Sequence, residues 1–360
     1  MNSIQINKLD LEKSLILYKD LIEGNYFSLT SEGILLTGNK NKIEIIGRNY
    51  NNSIKSFCKY NGDDFQVILH YGTLRKTISL FDKVLDINID DDFFIISTKE
   101  QKCTLPILDH TPNEYDFLDI NQAKFSIPID KSIVSSLKSA VGFAFSGNYR
   151  PQLTRVLVEL EKNKMTIVST DGHKIFMANH IIEFEGNHQF LLHKDGLDML
   201  DDEQCNLCCF ENTFQIVGSK KSFQGKLAKG EEYPDYQKVI PLVDDYVGKI
   251  GFNRKEMICA LEKLITLSKD NLNVVFEIID EQLHLKCNDL DNGTCLEIVI
   301  QAGHFGNVFK FGHNISMLLF TLKSMNEDYI YLNLSGKGNA PVVYTAKDEK
   351  RLLMPVTLTV

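Results

Sequence analysis

No stretch of this chain reaches the ~18 consecutive apolar residues of a membrane-spanning helix, so no span is expected. Residues 1–11 lack a basic stretch followed by an apolar core, so no secretory leader is expected either. The eight cysteines have no framework spacing, which fits a reduced, cytoplasmic protein rather than a disulfide scaffold. Cys205-Asn206-Leu207-Cys208-Cys209 contains a C-x-x-C. Neither a second such pair nor a nearby H-x-x-x-H completes a zinc site, so these residues read as small, half-buried members of a strand. Ser335-Gly336-Lys337-Gly338 lacks the spacing of a phosphate-binding loop, so any nucleotide hydrolysis belongs to a partner. An excess of basic residues is also missing, since the formal charge is −9. Net charge is a sum, however, and a concave basic surface can coexist with an acidic exterior.

What the chain does contain is a repeat. Its 360 residues, 43% hydrophobic and 24% charged, suit two or three globular domains. Helical periodicity appears at residues 8–22 (Leu11, Leu15, Tyr18, Ile22), 131–144 (Ile133, Val134, Leu137, Val141) and 254–268 (Met257, Ile258, Leu261, Leu264, Ile265). The three starts lie 123 residues apart both times. A shorter helix is expected about sixty residues after each, at 73–84, 194–201 and 314–325, the last with Asn314 as N-cap. Strands are expected at 33–37, 42–46, 92–97, 164–169, 214–217, 273–279 and 329–334. Each unit therefore reads as two helices with about eight short strands, and so long a period marks a domain repeat rather than a solenoid. Turns containing Pro and Tyr, Thr111-Pro112-Asn113-Glu114-Tyr115 and Tyr233-Pro234-Asp235-Tyr236, precede the expected boundaries. The domains expected are 1–121, 122–244 and 245–360.

The most informative segment is Val168-Ser169-Thr170-Asp171-Gly172-His173-Lys174-Ile175-Phe176. A polar turn sits between apolar runs, and Asp-Gly there predicts two antiparallel strands, because Gly accepts the positive φ of a tight turn. The segment resembles the Thr-Asp-Gly-His-Arg turn of the bacterial DNA polymerase III β subunits, the sliding clamps. Three further segments match that family in order: Tyr149-Arg150-Pro151-Gln152-Leu153-Thr154, then Phe223–Leu227 with Glu232–Pro241, and Leu352-Leu353-Met354-Pro355-Val356-Thr357-Leu358. These matches cover the second and third domains. Departures are Lys174 for the family's Arg, which exchanges a planar fork for a point charge, Thr357 for a basic residue, and Thr359-Val360 past the usual end. The first domain also reaches residues 26–30 without the family's long apolar segment.

The resemblance implies an α+β fold of three clamp domains, each with two helices on antiparallel sheets, closing as a homodimeric ring with helices lining the hole. It implies a cytoplasmic, non-enzymatic processivity factor that encircles duplex DNA, without a metal or other cofactor. Polymerase and clamp-loader subunits would dock short hydrophobic peptides in one pocket. That pocket would be built from Leu153, Thr170, Gly172, His173, Lys174, Ile175, Pro234, Lys238, Val239, Leu352, Met354, Pro355, Val356 and Leu358. Cations spread over the repeats are candidates to face DNA: Lys13, Arg75, Lys76, Lys131, Lys138, Arg150, Lys194, Lys255 and Lys323. Such exchangeable phosphate contacts suit sliding. No aromatic run with interleaved cations points to single-strand readout. For ring closure the family analogy points to residues 74–81 and the region of 266–267. Two rival readings stand beside this one: a docking scaffold that does not encircle DNA, and a hydrolase using His173 and Asp171. The hydrolase has neither a nucleophile nor metal-ligand spacing beside that pair.

Overall fold

The computed structural model describes residues 4–22, 32–109, 115–147, 149–194, 197, 200, 203–228, 230, 232–266, 273–289, 293–336, 340–346 and 349–358. The chain forms two compact units, Met1–Val141 with Phe190–Lys229 and Gly142–Gln189 with Gly230–Val360.

The 123-residue period is visible in the helix caps. Asn7 accepts from the N–H groups of Leu9 (2.9 Å) and Asp10 (3.3 Å), Asp130 from Ser132 (2.9 Å) and Ile133 (3.0 Å), and Asn253 from Glu256 (3.1 Å). Each satisfies N–H groups that the first turn cannot pair internally. The helices that follow are Lys8–Leu15, continued by a 3-10 turn Ile16–Tyr18 and Lys19–Ile22, then Lys131–Val141 and Arg254–Ile265. The first fills its expected span. The second stops at Val141, just before Gly142, a residue suited to ending helices. Residues 267 and 268, expected to end the third, lie outside the described residues.

Of the shorter helices, Tyr71–Ser79 is capped by His70 and Ile315–Lys323 by Asn314, whose side chain accepts from Met317 N–H at 3.1 Å. The expected helix 73–84 ends early, closed by Leu80 as C-cap, and Val84 already begins a strand. Most of the expected helix 194–201 lies outside the described residues.

In the first unit a sheet of twelve antiparallel strands runs from Lys102–Pro106 through Phe93–Ser97, Val84–Ile89, Ile4–Asn7, Asn52–Asn61, Lys221–Lys226, Thr213–Val217 and Cys205–Cys209 to Phe125–Ile129. Gly33–Asn39, Lys42–Arg48 and Phe65–His70 branch from it. Lys221–Lys226 pairs with Asn52–Asn61 in the register Phe223↔Ile54, so strands of the first and second sequence repeats share one sheet. The strand Asn52–Asn61 alternates, with Ile54, Ser56, Cys58 and Tyr60 facing in. Buried Ser56 is matched by Tyr18 of the first helix, whose hydroxyl lies 2.7 Å from Ser56 Oγ and donates to Ile45 O at 2.6 Å. Pairing of this kind removes the cost of burying two hydroxyls. Cys205, Cys208 and Cys209 lie in a strand, as expected, but are buried rather than half-buried, and burial pushes the Cys209 thiol up to about 12.

In the second unit the strands Arg155–Glu161, Lys164–Thr170, Lys174–Ile181, Glu349–Leu353, Val342–Ala346, Tyr329–Ser335, Tyr246–Asn253 and Ala302–Gly306 lie side by side in that order. A four-stranded sheet orders Thr294–Ile300, Gln282–Asp289, Asn273–Ile279 and Phe311–Asn314. Helices Arg254–Ile265 and Ile315–Lys323 bury Met257, Leu261, Leu264, Leu318 and Leu322 in the core with Phe252, Phe276 and Leu332. Each such side chain contributes about 1.5–3 kcal/mol by leaving water. Among the described residues, no helix is long and apolar enough to cross a membrane.

Candidate protein-docking site

The site is built from the hairpin whose sequence stands out. Lys164–Thr170 and Lys174–Ile181 pair antiparallel, with Thr170 opposite Ile175. Gly172 turns at φ +93°, a conformation that a side chain would strain. Asp171 Oδ1 accepts from the N–H groups of His173 (2.8 Å) and Lys174 (2.9 Å). Thr170 Oγ1 donates to Lys174 O at 2.7 Å and accepts from Gly172 N–H at 3.0 Å. Both polar side chains are thus spent on holding the turn, the usual work of Asp and Thr at such places.

Strand Lys174–Ile181 also pairs with Glu349–Leu353, with Ile175 opposite Leu352. Beyond that strand, Met354 N–H donates to His173 O at 2.9 Å. A cavity of about 330 Å³ opens between this corner and the 3-10 helix Tyr236–Val239. Nine of the expected residues line it: Leu153, Thr170, Gly172, His173, Ile175, Pro234, Val239, Leu352 and Met354. Leu153, Ile175 and Leu352 are buried in its wall, whereas Val239 and Met354 are 47% and 42% exposed and form its lip. An apolar cleft with a few polar groups at its edge suits short peptides carrying hydrophobic side chains.

Five expected residues do not line this cavity. Lys174 turns away: its Nζ donates to Gly142 O at 2.9 Å, lies 4.3 Å from the centre of the Phe320 ring and 3.7 Å from Asp171 Oδ2. Its role here is to brace the hairpin. Lys238 pairs with Asp235 at 3.0 Å, and that bond holds the Asp235 carboxyl below its usual range. Pro355, Val356 and Leu358 leave because the tail changes partner: Val356 N–H donates to Gly312 O at 2.9 Å, and the side chains of Val356 and Leu358 cover Gly312.

Four lining residues were not expected there: Arg150, Asp235, Tyr236 and Pro341. Tyr236 is buried and its hydroxyl donates to Glu159, which fixes the short helix that carries Val239. Burial, reinforced by the Glu159 carboxylate, pushes the phenol's pKa up. The available signal was its place in Pro234-Asp235-Tyr236, two residues past a lining proline.

No protein-family model matches the chain. Among curated proteins it is similar to the β sliding clamp of Pseudomonas putida, 23% identical over 289 residues that make up 77% of each chain. The β sliding clamp of Bacillus subtilis is 22% identical over 349 residues, 90% of this chain and 91% of that one. Solved sliding clamps from Pseudomonas aeruginosa (16% identical) and Bacillus subtilis (18% identical) superpose with a TM-score of 0.86 each, covering 99% of this chain and all of theirs. The chain is similar to the bacterial β sliding clamps. Its α+β fold is the sliding-clamp fold.

On this clamp fold most of the candidate cations sit on helices. Lys13, Lys76, Lys131, Lys255 and Lys323 are exposed helical residues, and Arg75 and Lys138 are half-buried ones. Lys255 pairs with Asp328 at 3.3 Å and Lys323 with Glu262 at 2.6 Å. Lys194 follows the strand His188–His193. Arg150 lines the cavity rather than standing on a helix. As for the hydrolase reading, Asp171 is committed to the turn, and no group of His, Cys, Asp and Glu among the described residues could hold a metal ion.

Proposed function

We propose that the protein is a DNA polymerase processivity clamp: a homodimeric ring that surrounds duplex DNA and catalyses nothing itself. What carries the reading is the likeness to β sliding clamps along nine-tenths of the sequence. Three domains, residues 1–121, 122–244 and 245–360, make half of the ring. Among the described residues, Lys102–Pro106 ends a sheet of the first unit and Thr294–Ile300 ends one of the second. Edges of this kind favour head-to-tail association, which closes with twofold symmetry when the rotation permits.

The mechanism is topological. A closed ring cannot leave duplex DNA sideways, and the helix cations Lys13, Arg75, Lys76, Lys131, Lys138, Lys255 and Lys323 contact phosphates without reading sequence. Lys194 adds to that surface, whereas Arg150 belongs to the docking cavity. Polymerase and loader subunits insert short hydrophobic peptides beside the Thr170–Ile175 hairpin, in the cytoplasm, where replication takes place. Ring opening draws on ATP chemistry in the loader. The test is product length on a primed circular template with a cognate polymerase and loader: the protein lengthens the products made in one binding event, and unchanged lengths overturn the reading.

A further inference from the structure

A second, larger cavity of about 650 Å³ adjoins the first and shares Val239, Pro341 and Met354 with it. Ile240, Pro241 and Val247 are among its apolar lining residues, and Asp244 and Asp245 line it too. In the chain between Pro241 and Asp244, Leu242 and Val243 stand outside the cavity lining and are each 72% exposed. Consecutive apolar side chains so open to water, next to an apolar cleft, mark a surface that gains by being covered. The segment is held in shape rather than loose. Leu242 N–H donates to one Asp245 carboxylate oxygen at 3.1 Å, and Gly336 N–H donates to Asp245 O at 3.3 Å.

The charges at the cavity are unbalanced. Lys238, which also lines it, is already paired with Asp235, and among the described residues no cation pairs with Asp244 or Asp245. We infer that the docking groove continues past the Val239–Met354 lip into this cavity, and that it takes the flank of the same partner peptide, with an aliphatic residue over Leu242 and Val243 and a lysine or arginine against Asp244 and Asp245. The inference rests on the peptide-docking reading of the first cavity. Extended chain advances about 3.3 Å per residue, so a few flanking residues reach from one cavity into the next. Exposed ion pairs of this kind are weak, so the flank tunes partner choice rather than creating binding.

Fluorescence anisotropy with labelled synthetic peptides tests this. The core probe carries two leucines and a phenylalanine, and its extended forms add Leu-Lys or Leu-Ser at one end or the other. At low salt one Leu-Lys form binds about threefold tighter than its Leu-Ser counterpart, the size expected of an exposed ion pair. The advantage fades as salt rises and is absent in the Asp244→Asn/Asp245→Asn protein, which binds the core probe normally. Equal binding of the Lys and Ser forms, or an advantage that survives the double substitution, overturns the inference while leaving the first cavity's role intact. Failure of the core probe to bind overturns both.

Discussion

The N–H of Met354 donates to the carbonyl oxygen of His173 at 2.9 Å, tying the end of the last strand to the turn of a hairpin almost two hundred residues earlier. That bond sets Met354 at the lip of the cavity without using its side chain, which separates the residue's structural contribution from its contact surface.

Replacement of Met354 by Asp therefore keeps the backbone bond and the fold while placing a carboxylate where an apolar partner residue would sit. Peptide affinity falls by about tenfold or more, because the charge cannot be desolvated there at acceptable cost. A titration with an unchanged dissociation constant counts against the cavity as the docking site.

Gly172 turns at φ +93°, and a Cβ there would lie 3.2 Å from Arg150 Nη1. Gly172→Ala lowers stability by about 1–2 kcal/mol through left-handed strain, seen as an earlier denaturant midpoint. It also weakens peptide binding, because the hairpin forms one wall of the cavity.

Lys174 separates bracing from contact. Lys174→Met removes a charge-assisted bond to Gly142 O and a cation over Phe320, and costs about 2 kcal/mol. Peptide affinity of the folded variant is retained. A large loss of affinity with unchanged stability would restore the residue to the contact surface that the sequence led us to expect.

His313 is fully buried among Phe276, Phe311 and Tyr344, and burial lowers its pKa from 6.5 to about 4, partly offset by the Met354 backbone. The unfolded chain binds this proton more readily than the folded one. The contribution of His313 to stability is therefore fully present above pH 6.5 and is lost as pH falls towards 4, by about 3 kcal/mol in all. Denaturant midpoints measured down this range decline in the native protein and decline less in His313→Leu. Equal slopes would contradict the assignment.

Lys131 and Lys138 lie on the helix Lys131–Val141. Reversing both charges to Glu weakens retention or loading on DNA and makes the salt dependence shallower, since fewer counterions are released. Normal loading and retention would mean that these lysines are only solvated.

Much of this was legible in the sequence because it rests on local rules. The helix caps recur with the period, the apolar faces of the helices point inward, and Asp171-Gly172 sets its own turn. What escaped reading depends on partners distant in the chain. Tyr236 lines the cavity because Glu159 holds its hydroxyl, and Pro341 because the strand that follows it, Val342–Ala346, pairs with the last one. Lys174 and Val356 belong to matching segments, but Gly142 and Gly312 draw them elsewhere. Similarly, pairing of Phe223 with Ile54 runs a sheet across a repeat boundary that local composition marks as an end.

The central claim is encirclement, and it is tested most directly by loading the protein on circular DNA, cutting the circle, and measuring retention before and after, with the solution mass of the free protein recorded. A dimer that stays on the closed circle and runs off the cut ends is the predicted result. A monomer, or equal loss from both DNAs with a competent loader present, contradicts the account and leaves a docking scaffold.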